Sequence, residues 1–527
     1  MLAQLPRIAD WSLFAFYDPG SVLKADQLIT QGMRPAIDFG FTHGLAALLA
    51  ARAGFAVLGR TPGAYLTLTA LLEVLMAVAL ARFAQAMRFN RGATAFLLCA
   101  LPVAVMACYL TLAHVLEATL LLWAIAEQAR GRRRSALAIT TACLFVKPSM
   151  AYVYGLWLVL WTVWDWRRRD EKWAGLWRRF WPAATTAGIL AAVSAGVFGW
   201  RSLALTIVPL TGMSAYGATH FGFFLGSGLN FWSPLRHSWW YYLSNPAGVW
   251  LLMTGWTGWF GLSQIVTLAV SYAGLRRFPV RSAVDRGRVK SGPASKFQNP
   301  KLPLPPRRKQ TLLSIALMQM AFVLGFYGWS RSWEYYSYLP VLFTAAWLAA
   351  PRWSNQALHA AWSAPRFSKI WGRGRWRTRR VMETLAVILC LLALFSQVKH
   401  LEIAISGWRW KVRTRQTGEL WAYPSQLAQW RQVGARTRGR RTLVLSNGYV
   451  PWLWRNMTMP SSWFPEPGIP TRREMQRVRQ QALRSDYVIT WNDYGRLDLW
   501  NQPAFATVHR RFRRLERGRW LSLWRRR

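Results

Sequence analysis

The feature that most constrains this chain is a succession of apolar runs, each long enough to cross much of a hydrocarbon layer. They occur at 63–83, 93–109, 111–128, 135–147, 150–166, 181–199, 247–275, 311–329, 337–350 and 381–397. A transmembrane helix needs about 20 mainly apolar residues to span roughly 30 Å. Several runs are shorter, and the stretches 93–128 and 135–166 indicate tight helical hairpins. The pattern predicts a mostly α fold, a polytopic transmembrane helical bundle of about ten spans.

The connections between these runs differ in charge. The chain carries 67 Lys and Arg against 21 Asp and Glu, a net charge of +46, although its mean hydropathy is +0.10. Basic connections alternate with connections poor in charge, and the positive-inside rule places the basic ones on the cytoplasmic side. The basic set is 82–91, 130–134, 167–169, 276–309 and 352–380. This distribution accounts for the charge without a nucleic-acid partner, and the composition excludes a soluble or a disordered protein.

The predicted orientation divides the chain into three parts. Residues 1–62, called the first loop below, lie outside the cytoplasm, residues 63–397 form the bundle, and residues 398–527, the tail, lie outside again. Within the first loop, the apolar stretch 41–58 indicates an interfacial helix. An extracytoplasmic start with no span before it favours a gene model that begins late. A restored first helix would bring the total to about eleven spans.

The tail is predicted to form a small extracytoplasmic α/β domain. Two β-branched runs, 442–446 and 486–490, each follow Arg-rich helical sequence, at 425–436 and 472–484. The basic end of the tail, 510–527, is either a solvated charged face or a surface for anionic lipid or a phosphorylated glycan.

Four short motifs lie, in order, on the predicted outer side of the bundle. They are Asp18-Pro19-Gly20 with Pro35-Ala36-Ile37-Asp38-Phe39 and His43-Gly44-Leu45, then Leu116-Glu117-Ala118, then Val146-Lys147-Pro148-Ser149, then Trp333-Glu334-Tyr335-Tyr336. Together they resemble the GT-C membrane glycosyltransferases, a group that includes protein mannosyltransferases and the aminoarabinose transferases of lipid A. This chain departs from the group's pattern where Asp18 is followed by Pro instead of Glu, and where Glu117 replaces the commoner Asp. These departures bear on the exact activity more than on the fold.

The resemblance implies a bacterial inner-membrane enzyme that takes a sugar from a polyprenyl-phosphate donor to an extracytoplasmic glycan, lipid or protein. Asp18 would be the general base, and Asp38 would orient the acceptor or, with Asp18, hold a divalent cation, the one cofactor considered. Cations would balance the charge of the leaving phosphate, and substrate would contact further polar groups at the outer rim. The donor-phosphate residues are Lys147, Arg331 and Arg34, with Arg201 as a further candidate, and the substrate residues are His43, His114, Glu117, Glu334 and Tyr335.

Each of these residues also has a purely structural interpretation. Asp18 could cap a turn, and Asp38 could be a helix N-cap. Lys147 could extend to the membrane interface. His114 and Glu117, three residues apart on one helix face, could form a buried structural hydrogen bond.

Two other classes of function remain open. A polymerase or ligase of surface glycans would depend on Arg and His in a large outer loop, and the connection 200–246 contains Arg201, His220, Arg236 and His237. A lipid or sugar transporter predicts paired, broken spans and inverted repeats, and no convincing repeat is found.

Overall fold

A computed structural model of the chain describes the following residues: 18–41, 43–87, 94, 98, 112–147, 150–207, 310–311, 314–315, 318, 412–413, 421–445, 472–491, 500, 505–518 and 521–527. Within the described part of the first 207 residues there are eight helices. They are α1 (Asp18–Thr30), α2 (Leu45–Leu58), α3 (Pro62–Met87), α4 (Leu112–Ala129), α5 (Arg133–Val146), α6 (Met150–Arg168), α7 (Trp173–Phe198) and α8 (Trp200–Ile207).

The apolar runs predicted to be helical are confirmed wherever the structure describes them. Helices α3 to α7 cover the runs that begin at 63, 111, 135, 150 and 181, and α2 covers most of the stretch 41–58. Helix α7 begins at Trp173, eight residues before the predicted run at 181–199, and Pro182 lies inside the helix. The run 93–109 is described at two isolated positions and the run 311–329 at four, and the other runs from 247 onward lie outside the described residues, so the number of spans remains a prediction.

Two of the described helices are long and apolar enough to cross a membrane, α3 with a mean hydropathy of 2.0 and α7 with 1.4. Large apolar side chains stay exposed along both, among them Leu71 and Val74 on α3 and Ile189 and Val193 on α7. A row of exposed apolar residues on a helix of this length is stable in lipid but not in water. Length, composition and this exposure favour a membrane location for both helices.

Helix α1 is not predicted from the sequence, which indicates a helix within the first loop only at 41–58. Pro19 lies in the first turn of the helix, where its fixed φ is favourable and its missing N–H is not needed. The helix ends at Gly32, which has a φ of +83°. There the N–H of Met33 donates to the carbonyl of Leu28 at 3.0 Å, a C-terminal capping bond.

The bundle core is built where α3, α4, α5 and α6 pack together. Small side chains such as Ala79, Ala84 and Ala118 are fully buried there and allow the helices to approach closely. A buried polar network adds specificity. Tyr154 Oη donates to Gln128 Oε1 at 2.7 Å, and Gln128 Nε2 donates to Ser314 Oγ at 3.0 Å. These bonds connect the 310–318 segment to α4 and α6.

Six strands and three helices lie in the described part of the tail. They are β1 (Val412–Arg413), β2 (Trp421–Ala422), α9 (Pro424–Thr437), β3 (Thr442–Leu445), α10 (Arg472–Arg484), β4 (Tyr487–Trp491), α11 (Ala506–His509), β5 (Phe512–Arg517) and β6 (Leu521–Arg526). The larger sheet has the order β3-β4-β6-β5, with β3 and β4 parallel and the other neighbours antiparallel.

The predicted helices and strands of the tail are confirmed as α9, β3, α10 and β4. Strands β5 and β6 were missed, because their sequences, Phe512–Arg517 and Leu521–Arg526, are rich in Arg and do not resemble strands. They form because β6 pairs on both sides, with β4 and with β5, and because Leu521 and Leu523 are buried. Packing overrides the low strand propensity of the arginines.

The tail and the first loop share one hydrophobic cluster. Val22 and Leu23 of α1 and Ala47 and Ala51 of α2 belong to the same cluster of buried residues as several side chains of α9 and the sheet. The tail members are Ala422, Leu427, Trp430, Val433, Val444, Ile489, Leu521 and Leu523. The cluster also includes Ala64 and Tyr65 of α3 and Leu112 and Ala113 of α4, so it joins the tail to the first loop and to the bundle.

Candidate functional site

The first loop contacts the bundle at the end of α5. The N–H of Gly44 donates to the carbonyl of Val146 at 2.8 Å, and a Cβ at position 44 would overlap the carbonyl oxygen of Phe145. Only glycine permits this close approach of two backbones. The contact places His43 beside Lys147, the residue that caps α5 with an extended backbone.

Three ionisable side chains meet at this contact. Lys147 Nζ lies against His114 Nε2 on α4, and the rings of His114 and His43 meet edge to face with centroids 5.6 Å apart. All three residues are buried, with exposures of 8% for Lys147, 2% for His114 and 3% for His43. Lys147 also lies at the C-terminal end of α5, where the helix dipole favours a positive charge. The cluster is thus a buried lysine against His114, whose ring in turn meets that of His43.

Burial lowers the pKa of His43 well below its ordinary value, and the positive charge of Lys147 lowers it further. His43 is therefore a neutral imidazole at pH 7. A neutral ring can accept a hydrogen bond from a cation or donate one to an anion. Lys147 and His43 can thus present a positive charge and a hydrogen-bond donor, respectively, to a phosphate group.

Glu117 lies one helical turn after His114 and is completely buried. Its Oε1 accepts a hydrogen bond from the N–H of Met150, the first residue of α6, at 3.1 Å. A carboxylate at a helix N-terminus satisfies an otherwise unpaired N–H and complements the helix dipole. Glu117 therefore fixes the start of α6 relative to α4, close to the basic cluster.

Asp38 and Arg34, predicted to act separately, are bound to each other. Asp38 Oδ2 accepts from the backbone N–H of Arg34 at 2.9 Å and lies 3.4 Å from its Nε. On the other side, Arg477 NH2 of the tail donates to Asp38 Oδ1 at 3.3 Å. No helix follows Asp38 directly, so its interpretation as a helix N-cap is wrong; α2 begins at Leu45, after Gly44.

Sequence reasoning did not identify the ion-pair network of Asp26. This carboxylate, 2% exposed, binds Arg52 NH1 at 2.9 Å and also Arg60 Nε. Arg60 NH2 donates in addition to Thr30 Oγ1 at 2.7 Å. The available signal was the scarcity of acidic residues, since a carboxylate in an apolar helix needs a partner. The network fastens α1 to α2 and to the chain just after α2.

The remaining predicted residues are less fully described. Asp18 is the first residue of α1. Arg331, Glu334 and Tyr335 lie outside the described residues, and so do His220, Arg236 and His237 of the alternative site. Arg201, on α8, is exposed. Within the described ranges no group of three or more His, Cys, Asp or Glu could hold a metal ion.

The described elements define a mostly helical protein with a small mixed sheet, in which two helices are long and apolar enough to cross a membrane. The chain is similar to the crystal structure of ArnT from Cupriavidus metallidurans in the apo state. The match covers 99% of this chain and 95% of that chain, with 14% identity and a TM-score of 0.49. The chain is likewise similar to the same ArnT bound to undecaprenyl phosphate, with 99% of this chain and 96% of that chain covered, 14% identity and a TM-score of 0.47. No family model and no curated protein matches the sequence.

Proposed function

We propose that this protein is a glycosyltransferase of the GT-C type that transfers a sugar from a polyprenyl-phosphate donor to an extracytoplasmic acceptor. One observation carries the proposal. Lys147 and His43, from two separate sequence motifs, meet His114 in one buried cluster, and Glu117, one helical turn after His114, binds the N–H of Met150 at the start of α6. The resemblance assigns all four residues to donor or substrate binding.

Lys147 supports the proposal through its charge. A polyprenyl phosphate that leaves the sugar carries a negative charge at the membrane, where water is scarce and electrostatic interactions are strong. A fixed cation aimed at that charge stabilises the transition state at no cost of reorganisation. In the proposed reaction the phosphate replaces His114 as the partner of Lys147, and neutral His43 donates a hydrogen bond to the same phosphate.

The proposed chemistry is a single displacement with inversion. The acceptor oxygen attacks the anomeric carbon of the sugar, and the bond between that carbon and the phosphate oxygen breaks. The acceptor proton goes to the carboxylate of Asp18, and the polyprenyl phosphate leaves with the electron pair. Asp38, held between Arg34 and Arg477, would orient the acceptor, whose class can be a glycan, a lipid or a protein.

The test is sugar transfer by the full chain in membrane vesicles, with a radiolabelled sugar on polyprenyl phosphate. Removing one charge-stabilising donor typically lowers kcat about 10²–10³-fold. We expect a loss of this order for Lys147→Met, partial rescue in Lys147→Arg, and no change for Lys172→Met, which removes an exposed lysine before α7. Full activity of Lys147→Met would exclude the proposed donor site.

A second pair of variants separates the competing enzyme classes. Asp18→Asn should abolish transfer, whereas Arg236→Ala and His237→Ala should leave it intact. The opposite pattern would favour a surface-glycan polymerase or ligase. Treating the same vesicles with a chelator tests whether a divalent cation is required. If Asp18 and Asp38 hold such a cation, transfer should stop in the chelator and resume when the cation is added back.

A further inference from the structure

We propose that the end of the bundle at which α4 turns into α5 and α6 into α7 binds anionic phospholipid headgroups. The surface, called the basic belt here, consists of exposed arginines and tryptophans from α5, α6 and α7. Its members are Arg134, Arg167, Arg168, Arg178, Trp164, Trp173, Trp177 and Trp181. The proposal is independent of any catalytic activity.

The outward face of α6 changes composition along its length in the order expected for a membrane. Exposed residues recur every four positions along it, in a row that turns about 40° round the helix at each step. From one end to the other they are Tyr152, Leu156, Leu160, Trp164 and Arg168. Aliphatic side chains suit hydrocarbon, tryptophan suits the interface, and arginine suits the headgroups. The series places Arg168 at headgroup level.

Helix α7 shows the same order in the opposite chain direction. Trp173, Trp177 and Trp181, at four-residue spacing, are 70%, 55% and 57% exposed. Further along the helix the exposed side chains are Ile189, Val193 and Val197. Because only a short turn connects α6 to α7, Trp173 and Arg168 lie at the same level. Two helices thus mark one boundary between apolar surface and headgroups.

Two acidic residues at this end are each surrounded by several arginines. The nearly buried carboxylate of Glu127 lies within 4 Å of Arg82, Arg130 and Arg132, at 2.6, 3.8 and 3.6 Å. One carboxylate cannot neutralise three guanidinium groups, so this cluster keeps a positive charge.

The second cluster is centred on Asp165. Its carboxylate binds Arg133 at 2.7 Å, Arg169 at 3.3 Å and Arg179 at 3.0 Å, and Arg179 also pairs with Glu171. This cluster too carries more positive than negative charge. Both clusters lie partly out of water, where an uncompensated charge is costly, so each favours an external anion.

The arginines of the basic belt add charge at the same level. Arg134, Arg167, Arg168 and Arg178 are exposed and pair with no acidic residue among those that the structure describes. An anion that also contacts tryptophan and an apolar helix face is a phospholipid headgroup with its acyl chains. Charge complementarity selects anionic headgroups, such as phosphatidylglycerol and cardiolipin, over zwitterionic ones.

Native mass spectrometry and thermal unfolding of the purified full chain test the proposal, with phosphatidylglycerol, cardiolipin or phosphatidylcholine added to detergent. Each arginine near an anionic lipid surface is worth roughly fivefold in affinity. The triple variant Arg167→Gln, Arg168→Gln, Arg178→Gln should therefore bind anionic lipid on the order of a hundredfold more weakly. Its unfolding temperature should lose most of the rise that anionic lipid gives the unaltered chain.

Two matched variants complete the experiment. Arg511→Gln, Arg513→Gln, Arg517→Gln removes the same charge from exposed positions of the tail and should bind lipid like the unaltered chain. Lysines at the three belt positions should preserve binding. The proposal is overturned if phosphatidylcholine stabilises the chain as much as the anionic lipids, if the belt variant keeps its lipid response, or if the tail variant loses it equally.

Discussion

Arg477 of the tail donates to Asp38 of the first loop at 3.3 Å, across 439 positions of the chain. Asp38 receives a second pair of contacts from Arg34, so one carboxylate is shared by two parts of the sequence. The adjacent hydrophobic cluster, with members from α1, α2, α9 and the sheet, extends the contact. The tail is therefore a structural support of the loop that contains the proposed general base.

Replacement of Arg477 by Ala should loosen the first loop without unfolding the chain. A partly exposed ion pair contributes about 0.2–1 kcal/mol, so hydrogen exchange around 34–41 should accelerate severalfold. Arg479→Ala, which removes an exposed arginine two positions away, is the control and should leave that exchange unchanged. Equal protection in both variants would mean that the hydrophobic cluster alone holds the loop.

Gly44→Ala should be strongly destabilising. The new methyl group would overlap the carbonyl oxygen of Phe145, and the backbone has to move to relieve the overlap. We expect a loss of about 1–3 kcal/mol, as for other overpacked positions, together with loss of transfer, because His43 moves away from Lys147. Gly196→Ala, in open space on α7, should be neutral or slightly stabilising in the same thermal unfolding measurement.

Asp26→Asn should lower the free energy of unfolding by about 1–3 kcal/mol. This is less than the loss expected for a fully buried ion pair, because Arg52 and Arg60 are about a third exposed. The substitution keeps the shape but leaves two guanidinium groups without a counter-charge. Asp170→Asn, in an exposed turn with a positive φ that asparagine tolerates, should have little effect. Thermal unfolding of the two variants side by side measures the difference.

Glu117→Ala and Glu117→Gln should differ in stability. Alanine leaves the N–H of Met150 buried without its acceptor, a loss of about 1–3 kcal/mol. Glutamine keeps a carbonyl oxygen in the same place and should retain much of the stability. If glutamine restores stability but not transfer, the charge of Glu117 acts on substrate; if it restores both, Glu117 has a structural role.

Stability should fall in mild acid because of His43. Its pKa in the folded protein is lowered, mainly by burial and then by Lys147, whereas in the unfolded chain it returns to about 6.5. Above pH 6.5 neither state binds the proton. Below it the unfolded state binds the proton first, so stability declines, by at most about 1.4 kcal/mol per pH unit, until the pH reaches the lowered pKa of the folded state.

The measurement for His43 is the unfolding temperature between pH 7.5 and pH 5. His43→Gln should flatten this profile, because glutamine does not titrate. His509→Gln removes a histidine whose pKa is also lowered by burial, but which is less deeply buried, and should flatten it less. A profile unchanged by His43→Gln would show that His43 is already protonated or exposed in the folded protein.

Sequence reasoning succeeded where one periodic signal determines an element. Apolar length defined α3, α4 and α6 to within a few residues, and alternating helical and β-branched segments defined α9, β3, α10 and β4. It failed for β5 and β6, because their Arg-rich sequences become strands only through pairing, β6 with β4 and β5 with β6. Helix α1 was missed for a similar reason, since Asp18-Pro19-Gly20 has the composition of a turn and also suits a helix start.

For the candidate site, sequence motifs identified the residue types but not their partners. His43, Lys147 and the pair His114 and Glu117 come from separate parts of the sequence, and His43 and Lys147 meet His114 where Gly44 contacts the end of α5. The bond from Arg477 to Asp38 had no sequence signal, because nothing in a charge pattern joins positions so far apart. The Asp26 network was likewise hidden, since its arginines resemble ordinary surface residues.

The cluster shared by the first loop and the tail limits how the chain can be recombined. Leu427, Trp430 and Leu523 belong to the same buried cluster as side chains of α1 and α2. A chimera that exchanges only the tail with that of a related protein would therefore join two half-cores of different origin. The two segments, although they lie at opposite ends of the sequence, must diverge together, and their residues should covary in any collection of relatives.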